Sequence, residues 1–175
     1  MKIGKRDKQL QEFNEDKIRN AVLKAFASTQ SVILEEHLAS ICQDIFEMVS
    51  AAHDQGAITT VEEIQDRVEE ELMRFQYFKE AKSYILYREV RKQKREIIGQ
   101  FQSLISEGEI IQLIKELQNE FSECPMQSLY SKYQSYHAHQ MSTEEVLDVL
   151  MRCCVELISV EAPEWELIAA RFLMK

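Results

Sequence analysis

Apolar residues recur along most of this chain with the period of a helix rather than of a strand. Ile18, Ala21, Val22, Ala25 and Phe26 follow i, i+3, i+4, i+7, i+8 and predict a helix over residues 15–27 with one buried face. A polar break at 28–31 ends it. A second helix is expected over 34–52, with Leu34, Leu38, Ile41, Ile45, Met48 and Val49 inward, and residues 53–56 as its stop signal. Thr60 followed by Glu63 reads as a capping box opening a third helix, whose inner stripe is Ile64, Val68, Leu72 and Phe75. After a break at 76–79, a fourth helix carries Ala81, Tyr84, Ile85 and Arg88 and runs through a basic stretch to residue 99.

The pattern stays helical in the second half. Ile110, Ile111, Leu113, Ile114, Leu117 and Phe121 mark one amphipathic helix, and Pro125 breaks the chain before a shorter one over 126–137. Ser142 with Glu145 caps the next, lined by Val146, Leu150, Cys153, Cys154, Leu157 and Ile158, and Pro163 fits the first turn of a last one. The two capped segments align at a shift of about 82 residues, as a weak internal repeat. Glu62, Glu63 and Ile64 fall on Glu144, Glu145 and Val146, and Tyr84 and Arg88 fall near Trp165 and Arg171. Any two capped amphipathic helices share part of that likeness.

Residues 3–18 depart from the helical period. A short extended run carries Lys5, Arg6 and Asp7, a turn follows near Lys8 and Gln9, and a second run over 10–13 leads to Asn14, a helix N-cap. Lys17 and Ile18 follow in the first turn. A β-hairpin beside a helix start, with cations on both, suits a phosphate. Residues 57–59 are a candidate third strand for that hairpin.

Composition narrows the class. The chain has 175 residues, room for one compact domain or two small ones, and only four glycines and two prolines, which favours long helices over long loops. A net charge of −9 argues against general nucleic-acid binding. The charge is uneven: residues 1–8 hold four cations and one anion, and residues 79–95 hold seven cations and two anions, around an acidic stretch at 60–74. Basic patches on an acidic chain fit a small anionic ligand, although solvated helix faces would look the same. No apolar run is long enough for a membrane span, and no secretory leader is visible. Cys42, Cys153 and Cys154 lie within apolar helical periodicity and read as small core residues in a reducing cytoplasm; no zinc pattern involves the four cysteines or the histidines.

Taken in order, Ile3, Lys5, Arg6, Asp7, Phe13, Asn14, Lys17 and Ile18, the segment 61–73 (VEEIQDRVEEELM) and the Tyr84, Tyr87, Arg88 ending of 81–92 resemble the ATP-cone. That is the nucleotide-sensing domain at the front of ribonucleotide reductase large subunits. The resemblance covers residues 1–96, and the segment around Ala162, Pro163, Glu164 and Trp165 is similar to the stretch just ahead of the catalytic barrel in those enzymes. Two positions depart: Lys8 stands where the family has glycine, and Gln11 where it usually has an acid.

The resemblance implies a mainly α fold: a four-helix cone at 1–96 with a small β-hairpin or three-stranded lid, followed by a second all-helical unit at 97–175. It implies ATP or dATP, with Mg²⁺, as allosteric effector. Carried over position by position, the nucleotide-binding residues are Ile3, Lys5 and Arg6 on the first strand, Gln11 and Asn14 ahead of the first helix, and Lys17 within it. On the third helix, Thr60 or Val61, between which a one-residue length difference does not decide, lies by the base with Ile64 and Gln65, and Arg88 and Lys92, with Lys94 a further candidate, supply phosphate contacts from the fourth. Each has a plainer alternative: Lys17 solvated, Arg88 in a surface ion pair with Glu62 or Glu69, Tyr84 and Tyr87 in packing rather than base stacking. The implied function is control of a reductase's overall activity and oligomerisation, with reductase subunits as partners. The chain carries no barrel and no matching catalytic cysteine context, so no turnover is expected from it alone, and the helix-like run to Lys175 leads us to expect a fragment. A degenerate cone serving only in assembly, and a free-standing nucleotide-responsive regulator, are the alternatives.

Overall fold

The computed structural model describes residues 1–5, 9–138 and 141–175. The readings made at Arg6, Asp7, Lys8 and His139 therefore lie outside the described residues. Two strands, β1 (Lys2–Gly4) and β2 (Leu10–Glu12), pair antiparallel with Ile3 opposite Gln11. They precede α1 (Glu15–Ser28), α2 (Glu35–Asp54), α3 (Val61–Arg74) and α4 (Phe78–Leu104). Then come α5 (Gly108–Glu120), α6 (Met126–Tyr136), α7 (Thr143–Leu157) and α8 (Trp165–Leu173). The chain divides into two compact units, Met1–Glu89 and Val90–Lys175, and the division falls inside α4. No described helix is long and apolar enough to cross a membrane.

The helix starts follow local chemistry. Asn14 accepts a hydrogen bond from the Lys17 amide at 3.3 Å and caps α1. Thr60 and Glu63 form the expected reciprocal box at the head of α3, as Ser142 and Glu145 do at the head of α7. Both segments of the weak internal repeat thus open on such a box, a feature that any two capped helices share. Its second pair also matches in kind: Tyr84 and Trp165 are both buried, and Arg88 and Arg171 are both ion-paired.

The first unit closes around Val22, Phe26, Leu38, Ile41, Ile45, Val68 and Leu72, with Ile3 of β1 and Tyr84 of α4 in the same cluster. Two polar ties join its helices. Glu71, almost wholly buried on α3, is held by Arg67 and Arg74, and Arg74 reaches on to Asp44 of α2 at 2.7 Å. Glu80 of α4 accepts hydrogen bonds from Ser31 at 2.6 Å and Thr29 at 3.2 Å, just past the end of α1. The second unit packs Phe101, Ile114, Leu117, Leu129, Tyr133, Leu150, Trp165 and Phe172. Cys42, Cys124, Cys153 and Cys154 are all free and buried, as core residues.

Some inward assignments are corrected. Leu34 sits at the N-cap of α2 and is exposed, Ile158 at the C-cap of α7 is exposed, and Met48 and Phe75 are only partly covered. Residues at helix ends lack a neighbouring turn to cover them, so periodicity extended to the last position overshoots. The third strand is also corrected: residues 57–59 form no strand, and the sheet has two strands. What joins that segment to the hairpin is one parallel bridge, Gly4 to Thr60, with the Gly4 amide donating to the Thr59 carbonyl at 2.9 Å. Thr60 is already the cap of α3, so the chain turns into helix before a ladder can lengthen.

Candidate functional site

Three pieces of the first unit enclose a cavity of about 120 Å³. One wall is the hairpin and its exit, with Ile3, Gln11, Glu12 and Phe13. The second is the start of α1, with Asn14, Lys17, Ile18 and Ala21. The third is the face formed by Val61, Ile64, Gln65 and Val68 of α3 with Tyr84 of α4.

Local structure explains why these side chains meet. Ile3 points inward from β1, and its cross-strand partner Gln11 brings β2 to the same mouth. The bridge at Thr60 holds β1 against the head of α3, so the hairpin cannot be described without that helix. On α3, Val61, Ile64, Gln65 and Val68 follow the i, i+3, i+4, i+7 spacing of one face. On α1, Asn14, Lys17, Ile18 and Ala21 repeat that spacing from the cap onward.

The interior is apolar with polar groups at the rim, the usual build of a ligand site. Ile3, Ile18, Ile64 and Val68 are buried, whereas Asn14 and Lys17 are exposed. Burial pushes the Tyr84 hydroxyl up to about 12, so it stays protonated across the physiological range. The N-terminus of α1, capped by Asn14, adds the positive end of its helix dipole beside Lys17, although Glu15 and Asp16 in that first turn offset part of it. The volume is below the ~300–1,000 Å³ of most small-molecule pockets.

Among the described residues, the sequence-assigned positions fall into four groups. Ile3, Gln11, Asn14, Lys17, Val61, Ile64 and Gln65 line the cavity together. Lys5 is exposed just past β1, and Thr60 is spent on its cap; neither lines the cavity. Arg88 is tied to Asp66 at 2.9 Å and to Glu69, which is the ion-pair alternative with Asp66 in place of Glu62. Lys92 lies on the part of α4 that belongs to the second unit, as does Lys94, which donates to the Gln118 carbonyl at 3.1 Å.

Sequence reasoning treated Phe13, Ile18, Ala21 and Val68 as motif or core positions, yet they line the cavity. Only the absence of a neighbour on one side separates them from ordinary core residues, and periodicity carries no such signal. Tyr84 packs in the core of the first unit and also lines the cavity. Tyr87 is exposed.

Comparison with known proteins gives a consistent result. The family described as ATP cone domain matches residues 1–93. The ribonucleoside-diphosphate reductase subunit alpha of Treponema pallidum is 34% identical over 99% of this chain, which spans 21% of that protein. The subunit of the same name from Chlamydia pneumoniae is 37% identical over 53% of the chain and 10% of its own length. The corresponding Chlamydia muridarum protein is 35% identical over 48% of the chain. This chain therefore spans about a fifth or less of these relatives. With the hairpin, the four helices and the cavity in the order the motif requires, the chain belongs to the ATP cone domain family.

Proposed function

We propose that the first unit binds an adenine nucleotide, ATP or dATP, as an allosteric effector. We further propose that it serves as the sensor governing overall activity and oligomerisation of a ribonucleoside-diphosphate reductase. The observation that carries the binding reading is the convergence of Ile3, Gln11, Asn14, Lys17, Val61, Ile64 and Gln65 on one cavity. The apolar interior suits a base, and Gln11, Asn14 and Gln65 supply donors and acceptors for its edge or the sugar. Lys17 and the α1 N-terminus face the mouth where phosphates would lie, with Lys5 nearby in sequence on the hairpin.

Among the described residues no group of three or more His, Cys, Asp or Glu side chains is placed to hold a metal. Magnesium would arrive on the triphosphate, bound by phosphate oxygens and water. Control of oligomerisation requires each nucleotide to favour a different arrangement of subunit contacts, and reductase subunits, a second copy or a small subunit, are the partners that reading needs.

The test is calorimetric titration of the chain with ATP and with dATP in magnesium, beside thermal melts. A ligand at a hundredfold its dissociation constant adds about 2.7 kcal/mol. Micromolar binding of either nucleotide, weakened about tenfold or more by Lys17→Ala through loss of a charge-assisted contact, is the expected result. Absence of heat and of any melting shift with both nucleotides would reject the sensor and leave a cone that acts only in assembly.

A further inference from the structure

We infer that Arg88 is a positioning residue of the nucleotide cavity rather than a phosphate ligand: it fixes the α3 wall against the α4 wall. The inference rests on the nucleotide-binding reading of that cavity. The guanidinium leaves α4 and engages two carboxylates of α3, Asp66 at 2.9 Å and Glu69. Both acceptors stand next to cavity residues: Asp66 follows Gln65, and Glu69 follows Val68. On its own helix Arg88 lies one turn after Tyr84, the α4 residue that lines the cavity. Arg88 itself does not line it.

Its environment favours a strut. The Arg88 and Glu69 side chains are about four-fifths buried, at 20% and 18% exposure. Burial works against the charge, but the hydrogen bonds to Asp66 and Glu69 outweigh it and hold the guanidinium above its ordinary pKa. Both hydrogen bonds leave the same nitrogen, Nη1, so one end of the guanidinium holds two carboxylates of α3 against α4. To become a phosphate ligand, Arg88 would have to leave both acids and abandon a largely buried Glu69 without its partner, which is costly.

The experiment uses the whole chain and titration with ATP in magnesium. Three proteins are compared: wild type, Arg88→Met, and the charge swap Arg88→Glu with Glu69→Arg, made together with Asp66→Asn so that no carboxylate is left facing the one placed at position 88. A strut predicts that Arg88→Met weakens ATP binding about tenfold, within the range of coupling across paired side chains, and that the swap restores affinity to within about threefold of wild type. A phosphate ligand predicts the opposite for the swap, since a carboxylate at position 88 repels the nucleotide. The inference is overturned if the swap binds ATP no better than Arg88→Met, if the swap does not fold, or if Arg88→Met binds like wild type. If Arg88→Met itself does not fold, the swap against wild type still decides. Failure of the underlying reading shows separately, as absence of ATP binding by the wild-type chain.

Discussion

At the scale of single residues, two glutamines carry backbone conformations that their side chains do not favour. Gln30 follows α1 with φ of 56° and Gln76 follows α3 with φ of 64°. Both occupy the left-handed region that glycine usually fills after a helix, and the cost for a residue with a Cβ is about 1–2 kcal/mol. Chain reversal is required at both points, because α2 and α4 must fold back on the helix before them. Gln76→Gly is expected to raise stability by a fraction of that cost, about 0.5–1 kcal/mol, since glycine also loses more backbone freedom on folding. Chemical denaturation of the two proteins measures the difference, and a drop in stability would show that the Gln76 side chain makes a compensating contact.

At the scale of elements, the joint between the end of α1 and the start of α4 is polar and titratable. Glu80 is buried, and the Ser31 hydroxyl bond holds its pKa below the ordinary 4.5; the Thr29 hydroxyl and the Lys79 charge act in the same direction against the effect of burial. A carboxylate whose folded pKa is depressed stabilises the fold above its unfolded pKa, and that contribution disappears as pH falls through the lower, folded value. Stability should therefore drop on acidification below about pH 4.5 as this joint protonates. Glu80→Gln keeps the shape and removes the charge. It should be less stable than wild type at pH 7, with the gap narrowing as pH falls through the depressed folded pKa, below the ordinary 4.5. Urea midpoints along an acid titration provide the check, and a gap that stays constant throughout would mean that the charge is irrelevant.

At the scale of the whole molecule, the two units have cores that share no residue. Trp165, the one tryptophan of the chain, is buried in the second core, while the proposed ligand site belongs wholly to the first. Its emission is thus a reporter of the second unit. If nucleotide binds the first unit, saturating ATP should raise the midpoint of unfolding followed by hydrogen exchange at α1 and α3 amides. The midpoint followed by Trp165 emission should move less. Equal shifts in both probes would show that the two units unfold as one cooperative block joined through α4.

The one-dimensional pattern was sufficient for the helices and their beginnings. Apolar residues at helical spacing and side chains that cap their own backbone act within a few residues, so Asn14, Thr60 with Glu63, and Ser142 with Glu145 were legible without any tertiary information. The family motif likewise placed most of the cavity, because its members sit at fixed offsets on elements that the local pattern predicts. Three things depended on the fold. Residues 57–59 became a single bridge instead of a strand because the cap of α3 competes for the same segment. Ile18, Ala21 and Val68 turned from core positions into a cavity wall because burial depends on what packs opposite, which no spacing encodes. Arg88, carried over as a phosphate cation, pairs with Asp66 and Glu69 of another helix, a matter of distance across two elements that no spacing encodes. Local interactions determine where helices start and which face is apolar; the partner that a long charged side chain finds is settled only when distant segments are brought together.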